Sequence, residues 1–239
     1  EWIEYHLLIG IEHFYLYNNN STDNYLEIIQ PYIDKGIVTL IDWPYDHGQL
    51  GAYKDCYDRY AGQTHWLAYI DADEFINLQN DNSINDMLRR FRYQPSLHMS
   101  WRDFGTSGNI ASSNNSLVTE TFVAAWPWLC NVGKTIINND FHFKKISVHY
   151  CIAKYMGMSL YPVNDCKLPC PYYPTIWSMG IGKQVYLNHY FSRSYEWYLY
   201  KDMKRGSALS SKNAETRRNP ARFRLHELNN FCHDYSIQR

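Results

Sequence analysis

Between residues 13 and 70 the sequence alternates short β-prone runs with amphipathic stretches, and every run ends in a polar cluster. Ahead of this pattern, Ile3, Leu7 and Leu8 beside Glu1 and Glu4 predict a short amphipathic helix over residues 1–9. HFYLY (13–17) reads as a strand and ends in NNNSTD (18–23), a run of turn and helix-capping residues. A helix follows from about Asn24 to the DKG at 34–36, where Gly36 suits a C-cap. IVTLI (37–41) is the next strand, broken by WPYDHG, and a helix from Gln49 to about Ala61 leads into the strand HWLAYI (65–70). Such alternation predicts an α/β fold with a mostly parallel sheet flanked by helices. Ligands of such sheets sit outside the C-terminal strand ends. NNNSTD, WPYDHGQ and DADE all lie there, which makes three loops one candidate site.

The second half is less regular. Strands are predicted over 96–104, 134–137, 146–150 and 184–190, and a helix over 194–206. These divide the chain into a main domain over residues 1–208 and a polar tail or peripheral helix over 209–239. With 45% hydrophobic and 20% charged residues the chain has the composition of a globular protein. A formal net charge of −1 gives no pointer to nucleic acid or an anionic membrane surface. No apolar run reaches the roughly 18–20 residues of a transmembrane helix. The 22 tyrosines suit sugar and nucleotide binding, or equally core filling. Six cysteines show no disulfide framework. Cys166 and Cys170 in DCKLPCP suit a disulfide or the start of a metal site, but zinc needs about four ligands and no second close pair exists. Free thiols favour a cytoplasmic setting, with the Golgi lumen as the alternative for a domain cut from an anchor. Sequons occur at Asn19, Asn20 and Asn114.

The chemistry concentrates in IDADEF. On an extended segment Asp71 and Asp73 point to one side, where hard oxygen ligands suit Mn²⁺ or Mg²⁺ bridged to phosphates. The plainer reading is an acid-rich turn after a strand. In NNNSTD a Ser, Thr or Asp caps the next helix, worth about 1 kcal/mol, while asparagine amides match a base edge. His189 in LNHYF follows an apolar run and supplies an imidazole from a distant strand, a third ligand for Mn²⁺, although a histidine beside aromatics is often structural. His47, His142 and His149 compete for that role. GTSGN (105–109) is a flexible turn without the Gly-Lys-Ser/Thr of a P-loop. A G-x-S-x-G elbow is absent from the sequence, so a serine hydrolase has no support.

Taken in order, these blocks resemble glycosyltransferase family 92. EWIEYHLLIGIEHFYLYNNNSTD looks like its N-terminal block and QLGAYKDCYDRYAGQTHWLAYIDADEF like its central one. WRDFGTSG matches a W-x-x-F-G-x-S-G element, GKTII a short lysine-containing strand, and LNHYFSRSYEWYLYKDMKRGSA the closing element. The resemblance implies a GT-A-like nucleotide-binding fold and a metal-dependent, inverting transfer of galactose or a similar hexose from a UDP-sugar donor to a glycan acceptor. By position it implies Asp71, Asp73 and His189 as ligands of Mn²⁺ or Mg²⁺, Asp73 the direct one and Asp71 reaching the ribose or a metal-bound water. It places Asn18 and Asn20 near the base and Gln49 and Lys54 on a helix facing the pocket. Arg193, Lys201 and Arg205 contact the diphosphate or lie on a solvated helix face. Inversion needs a general base: Asp103 beside the F-G-x-S-G loop is the first candidate, His149 the second. Trp101 and Phe104 stack on the acceptor sugar or pack in the core. GT-A folds open with a strand that would precede residue 1, so the resemblance predicts a sheet with an exposed edge. A nucleotidyltransferase would want a Gly-rich, basic first loop, which the sequence lacks. A non-catalytic sugar- or nucleotide-binding domain would keep this fold, and loss of the D-x-D acids would mark it; both are present.

Overall fold

The alternation of the first third is realised in the computed structural model, which describes residues 1–111, 116–170, 184–201 and 220–238. α1 (Trp2–Leu8), β1 (Phe14–Asn18), α2 (Tyr25–Asp34), β2 (Val38–Asp42), α3 (Gln49–Tyr60) and β3 (Trp66–Ala68) follow in order. β1 and β2 pair in parallel, from Phe14 opposite Val38 to Asn18 opposite Asp42, so their polar ends lie side by side.

Past residue 70 the chain departs from the expected pattern. β4 (Glu74–Leu78) and α4 (Ile84–Arg89) were not anticipated, and β5 (Ser96–Asp103) follows where a strand was. Then come α5 (Val118–Thr121), β6 (Ala124–Ala125) and β7 (Cys130–Asn138). The strand expected at 146–150 falls instead on the connection between β8 (His142–Ile146) and β9 (Cys151–Tyr155). β10 (Met158–Leu160), β11 (Val185–His189), α6 (Tyr195–Tyr200), α7 (Pro220–Glu227) and β12 (Cys232–His233) complete the described elements.

The main sheet has the order β3-β7-β5-β11-β4. It is mixed, which corrects the mostly parallel sheet: only β5 and β11 run parallel, and the other pairs are antiparallel. Parallel neighbours need crossovers, usually helical, and among the described elements β6 to β11 follow one another with no helix between them. The sheet also curls. β3 and β4 are joined by residues 69–73 yet form its two edges, about 19 Å apart if the sheet were flat. A fully extended link would only just span that gap, and this one is folded by a turn, Glu74 N–H to Asp71 O at 3.0 Å.

The β4 edge is not bare. Trp2 Nε1 donates to Glu74 O at 2.8 Å and Tyr5 OH to Ile76 O at 2.6 Å, while Ile76 N–H donates to His6 Nε2 at 3.3 Å. Side chains of α1 thus replace a neighbouring strand along β4. On one face of the sheet, Leu97, Met99, Ile136, Leu187 and Ile76 pack against Ile84, Met87 and Leu88 of α4. Toward β3 and β7, α3 covers a cluster holding Leu67, Tyr69, Ile137 and Phe143 with Tyr15, Tyr17, Tyr53, Tyr57 and Tyr60 around it. Those tyrosines fill space between layers.

Gly133 marks the tightest backbone approach. A Cβ there would lie 1.8 Å from Met99 O, next to the register shift between Ser100 and Trp101. Gly133→Ala is therefore expected to destabilise the chain by about 1–3 kcal/mol, as overpacking against rigid backbone does. Urea unfolding measures it, and an unchanged midpoint would show that β5 and β7 part easily here.

Candidate active site

Strand register assembles the site. His189 lies opposite Glu74 on one side and Asp103 on the other. Period-two alternation carries the apolar stripe of Leu97, Met99, Ile136, Leu187 and Ile76 into Trp101, Asp103, His189 and Glu74 toward the strand ends and Lys134 midway along β7. One face of the sheet thus changes from hydrocarbon to charge, and the 71–73 turn lies across that charged end.

Asp71 and Asp73 do not share an extended segment. The turn sends them to different lysines. Lys134, fully buried, places Nζ 2.8 Å from Asp71 Oδ2 and 3.9 Å from Glu74 Oε1. Gln49 Nε2 and Tyr53 OH, one helical turn apart on α3, donate to Asp71 Oδ1 at 2.7 and 3.2 Å. Glu74 is fully buried as well, and accepts the Asp71 N–H and Trp101 Nε1–H, each at 2.8 Å. Burial pushes its carboxyl up to about 8 despite Lys134, and Asp71 adds to the rise.

Asp73 meets Lys201 in an ion pair at the end of α6, and Lys201 also donates to Phe191 O at 3.2 Å. Burial works to raise the Asp73 carboxyl, but Lys201, His189 and Arg193 outweigh it and hold it at about 2. Arg193 places its guanidinium 5.1 Å from the Trp197 ring centre and Nη2 3.5 Å from Ala72 O, beside the turn.

Asp103 is occupied at both oxygens. His189 Nδ1 donates to Oδ1 at 2.8 Å and Cys130 Sγ to Oδ2 at 3.0 Å. Burial opposes ionisation of Asp103, yet the His189 hydrogen bond leaves its carboxyl below the usual range. Burial likewise disfavours the His189 imidazolium, and Asp103 with Asp73 raises its pKa in net. Trp101 stacks on His189 at 4.3 Å and meets His149 edge-on at 5.3 Å. His149 Nδ1 lies 3.1 Å from Gly133 O, so that nitrogen carries the proton and Nε2 the lone pair. Burial and Lys134 keep this imidazole neutral.

Of the remaining expected residues, Asn18 closes its own loop, donating to Tyr25 OH at 2.9 Å and accepting Ser21 N–H at 3.0 Å. Asn20 is exposed with φ 55. Lys54 pairs with Asp58 on the solvent face of α3 and does not turn toward Asp71. Phe104 is core, and Arg205 lies outside the described residues. Glu74, Lys134 and Tyr53 had no assigned role. The signals were an acid inside the DADE cluster, a lysine leading an apolar strand, and a tyrosine four residues after Gln49.

Two carboxylates and an imidazole whose charge bears on Asp73 fit a hard divalent cation in kind. Among the described residues, however, no three His, Cys, Asp or Glu side chains stand together as a shell. In this arrangement Lys134 and Lys201 supply the positive charge.

Compared with known proteins, the model of Glycosyltransferase family 92 matches residues 1–212. A glycosyltransferase family 92 protein of Oryza sativa subsp. japonica is 29% identical over 123 residues, 50% of this chain and 21% of its own length. One of Ricinus communis is 32% identical over 113 residues, 45% of this chain and 20% of its length. A galactan beta-1,4-galactosyltransferase of Arabidopsis thaliana is 33% identical over 98 residues, 37% of this chain and 19% of its length. The chain matches only about a fifth of the length of these relatives.

The raised Glu74 carboxyl has a consequence for stability. The folded state holds that proton above the pH at which the unfolded chain releases it, so stability is complete below about 4.5 and falls as pH rises toward 8. Relative to Glu74→Gln, the wild-type chain is expected to lose unfolding free energy between pH 5 and 8. Parallel pH profiles for the two would show Glu74 to be ionised in the fold.

Proposed function

Because the chain belongs to glycosyltransferase family 92, we propose that it moves galactose or a similar hexose from a UDP-sugar to a glycan hydroxyl, with inversion at the anomeric carbon. The observation that carries this reading is an ionised Asp73 flanked by Lys201 and Arg193 at a strand-end turn. Acid and base side chains gathered there suit a dianionic diphosphate and its counter-cation. The name of the Arabidopsis relative supports galactose as the sugar and a glycan as the acceptor.

In this reading the acceptor oxygen attacks the anomeric carbon and the bond to the diphosphate breaks, releasing UDP. Asp73 and His189 would hold Mn²⁺ or Mg²⁺, with Asp71 reaching the ribose or a metal-bound water, and the ion when bound neutralises charge on the departing diphosphate. Arg193 and Lys201 bring positive charge to the same place. Gln49, Tyr53 and Lys134 hold Asp71 in one rotamer. The polar ends of β1 and β2, with Asn18 and Asn20, face the base. The acceptor proton goes to His149 Nε2. Asp103, the other candidate base, has both oxygens engaged, and its lowered carboxyl is a weak acceptor. It orients His189 instead.

The test is turnover of UDP-galactose with a β-1,4-galactan oligosaccharide and Mn²⁺. Asp73→Asn is expected to reduce transfer by about 100-fold or more, the scale of losing one electrostatic contact to the leaving group. His149→Gln is expected to reduce kcat by about 100-fold with the donor KM unchanged. Wild-type rates in both variants would contradict the assignment. Saturable binding of UDP-galactose without product would make the chain a binding domain.

A further inference from the structure

The family match ends at residue 212, yet the chain beyond it packs against the loop that follows Asp103. α7 and the turn after it press on the Gly105–Ser107 loop. Thr106 Oγ1 donates to Glu227 Oε1 at 2.8 Å. Ser107 N–H donates to Asn230 Oδ1 at 2.8 Å, and Asn230 Nδ2 to Thr106 Oγ1 at 3.4 Å. The fit is close: a Cβ on Gly105 would lie 2.3 Å from Asn230 Oδ1 and 3.0 Å from its backbone nitrogen. Ser107 holds a left-handed φ of 51, which a non-glycine residue keeps only where its surroundings over-determine it. Here Asn230 holds its N–H and its hydroxyl accepts Ala124 N–H at 2.9 Å.

This loop links the two charged pairs of the site. At its start, Phe104 N–H donates to His189 O at 3.0 Å, next to the Asp103–His189 pair. At its end, Asn109 O and Ile110 O accept Tyr195 N–H and Glu196 N–H at 3.1 and 3.0 Å. Those are the first residues of α6, the helix that leads to Lys201 and Asp73. His226 reinforces the contact, stacked on Phe191 at 4.8 Å.

We propose that Glu227 and Asn230 are positioning residues for sugar transfer: from beyond the family match they lock the Gly105–Ser107 loop, and so fix the Asp103–His189 pair relative to Lys201 and Asp73. The transfer arm of the test rests on the function proposed above; the exchange arm does not. In the full chain, Asn230→Ala removes the acceptor for Ser107 N–H, whereas Asn230→Asp retains it. Amide hydrogen exchange over residues 104–109 is expected to quicken about tenfold in Asn230→Ala, the scale of one lost hydrogen bond, and to stay near wild type in Asn230→Asp. With UDP-galactose and a β-1,4-galactan oligosaccharide, kcat is expected to fall about tenfold or more in Asn230→Ala, as misplacement of reacting groups does. The donor KM holds and Asn230→Asp recovers most of the rate. Unchanged loop exchange in Asn230→Ala overturns the proposal. So does an equal kcat loss in both variants, or a loss that merely follows the melting temperature. If the wild-type chain transfers no sugar, the proposed function fails and exchange alone decides the lock: protection lost in Asn230→Ala and kept in Asn230→Asp supports it, equal protection in both overturns it.

Discussion

A buried ammonium holds the curled sheet to the turn that joins its two edges. Lys134 rises from β7, the neighbour of the edge strand β3, and meets Asp71 on the link between β3 and β4. An ammonium with no exposure is stable only when paired and hydrogen-bonded. Asp71 meets it at 2.8 Å, while Glu74 lies 3.9 Å away with its carboxyl raised by burial. Gln49 and Tyr53 of α3 then fix the far side of Asp71, which ties the helical layer to the same point. Asp73, Arg193 and Lys201 take their places from that anchored turn.

The sequence made much of this visible, in a pattern that follows chain separation. Local alternation fixed α1 to β3, but β1 and β2 pair as a two-stranded sheet of their own, apart from the five-stranded sheet that holds β3. The mixed pairing was not readable, because β4 meets β11 and β5 meets β7 across long separations that periodicity does not report. Asp71, Asp73, Asp103 and His189 were singled out from residue type, position and family resemblance. What could not be read was how they pair. A D-x-D on an extended strand would point both acids one way, and a turn at Ala72 parts them. Lys54 faces solvent for a helical reason: residues 49 and 53 share the stripe toward Asp71, and 54 and 58 share the next one.

Lysines 134 and 201 also recast the metal question. Both aspartates are already neutralised by side chains of this chain, so a divalent cation entering here would compete with an internal ammonium as well as with water. Lys201 at the end of α6 would then be released toward a phosphate. The C-terminal segment belongs to the same set of contacts: sequence pattern set a boundary near residue 208, while Thr106 and Ser107 hydrogen-bond to Glu227 and Asn230 across it.

Diffraction from crystals of this chain grown with UDP and Mn²⁺ would show most directly whether the 71–73 turn holds a diphosphate. The expected result is phosphate density within hydrogen-bonding reach of Arg193, a cation on Asp73, and Lys201 turned from Asp73 toward phosphate. Nucleotide density away from this turn, with Lys201 still on Asp73, would contradict the account.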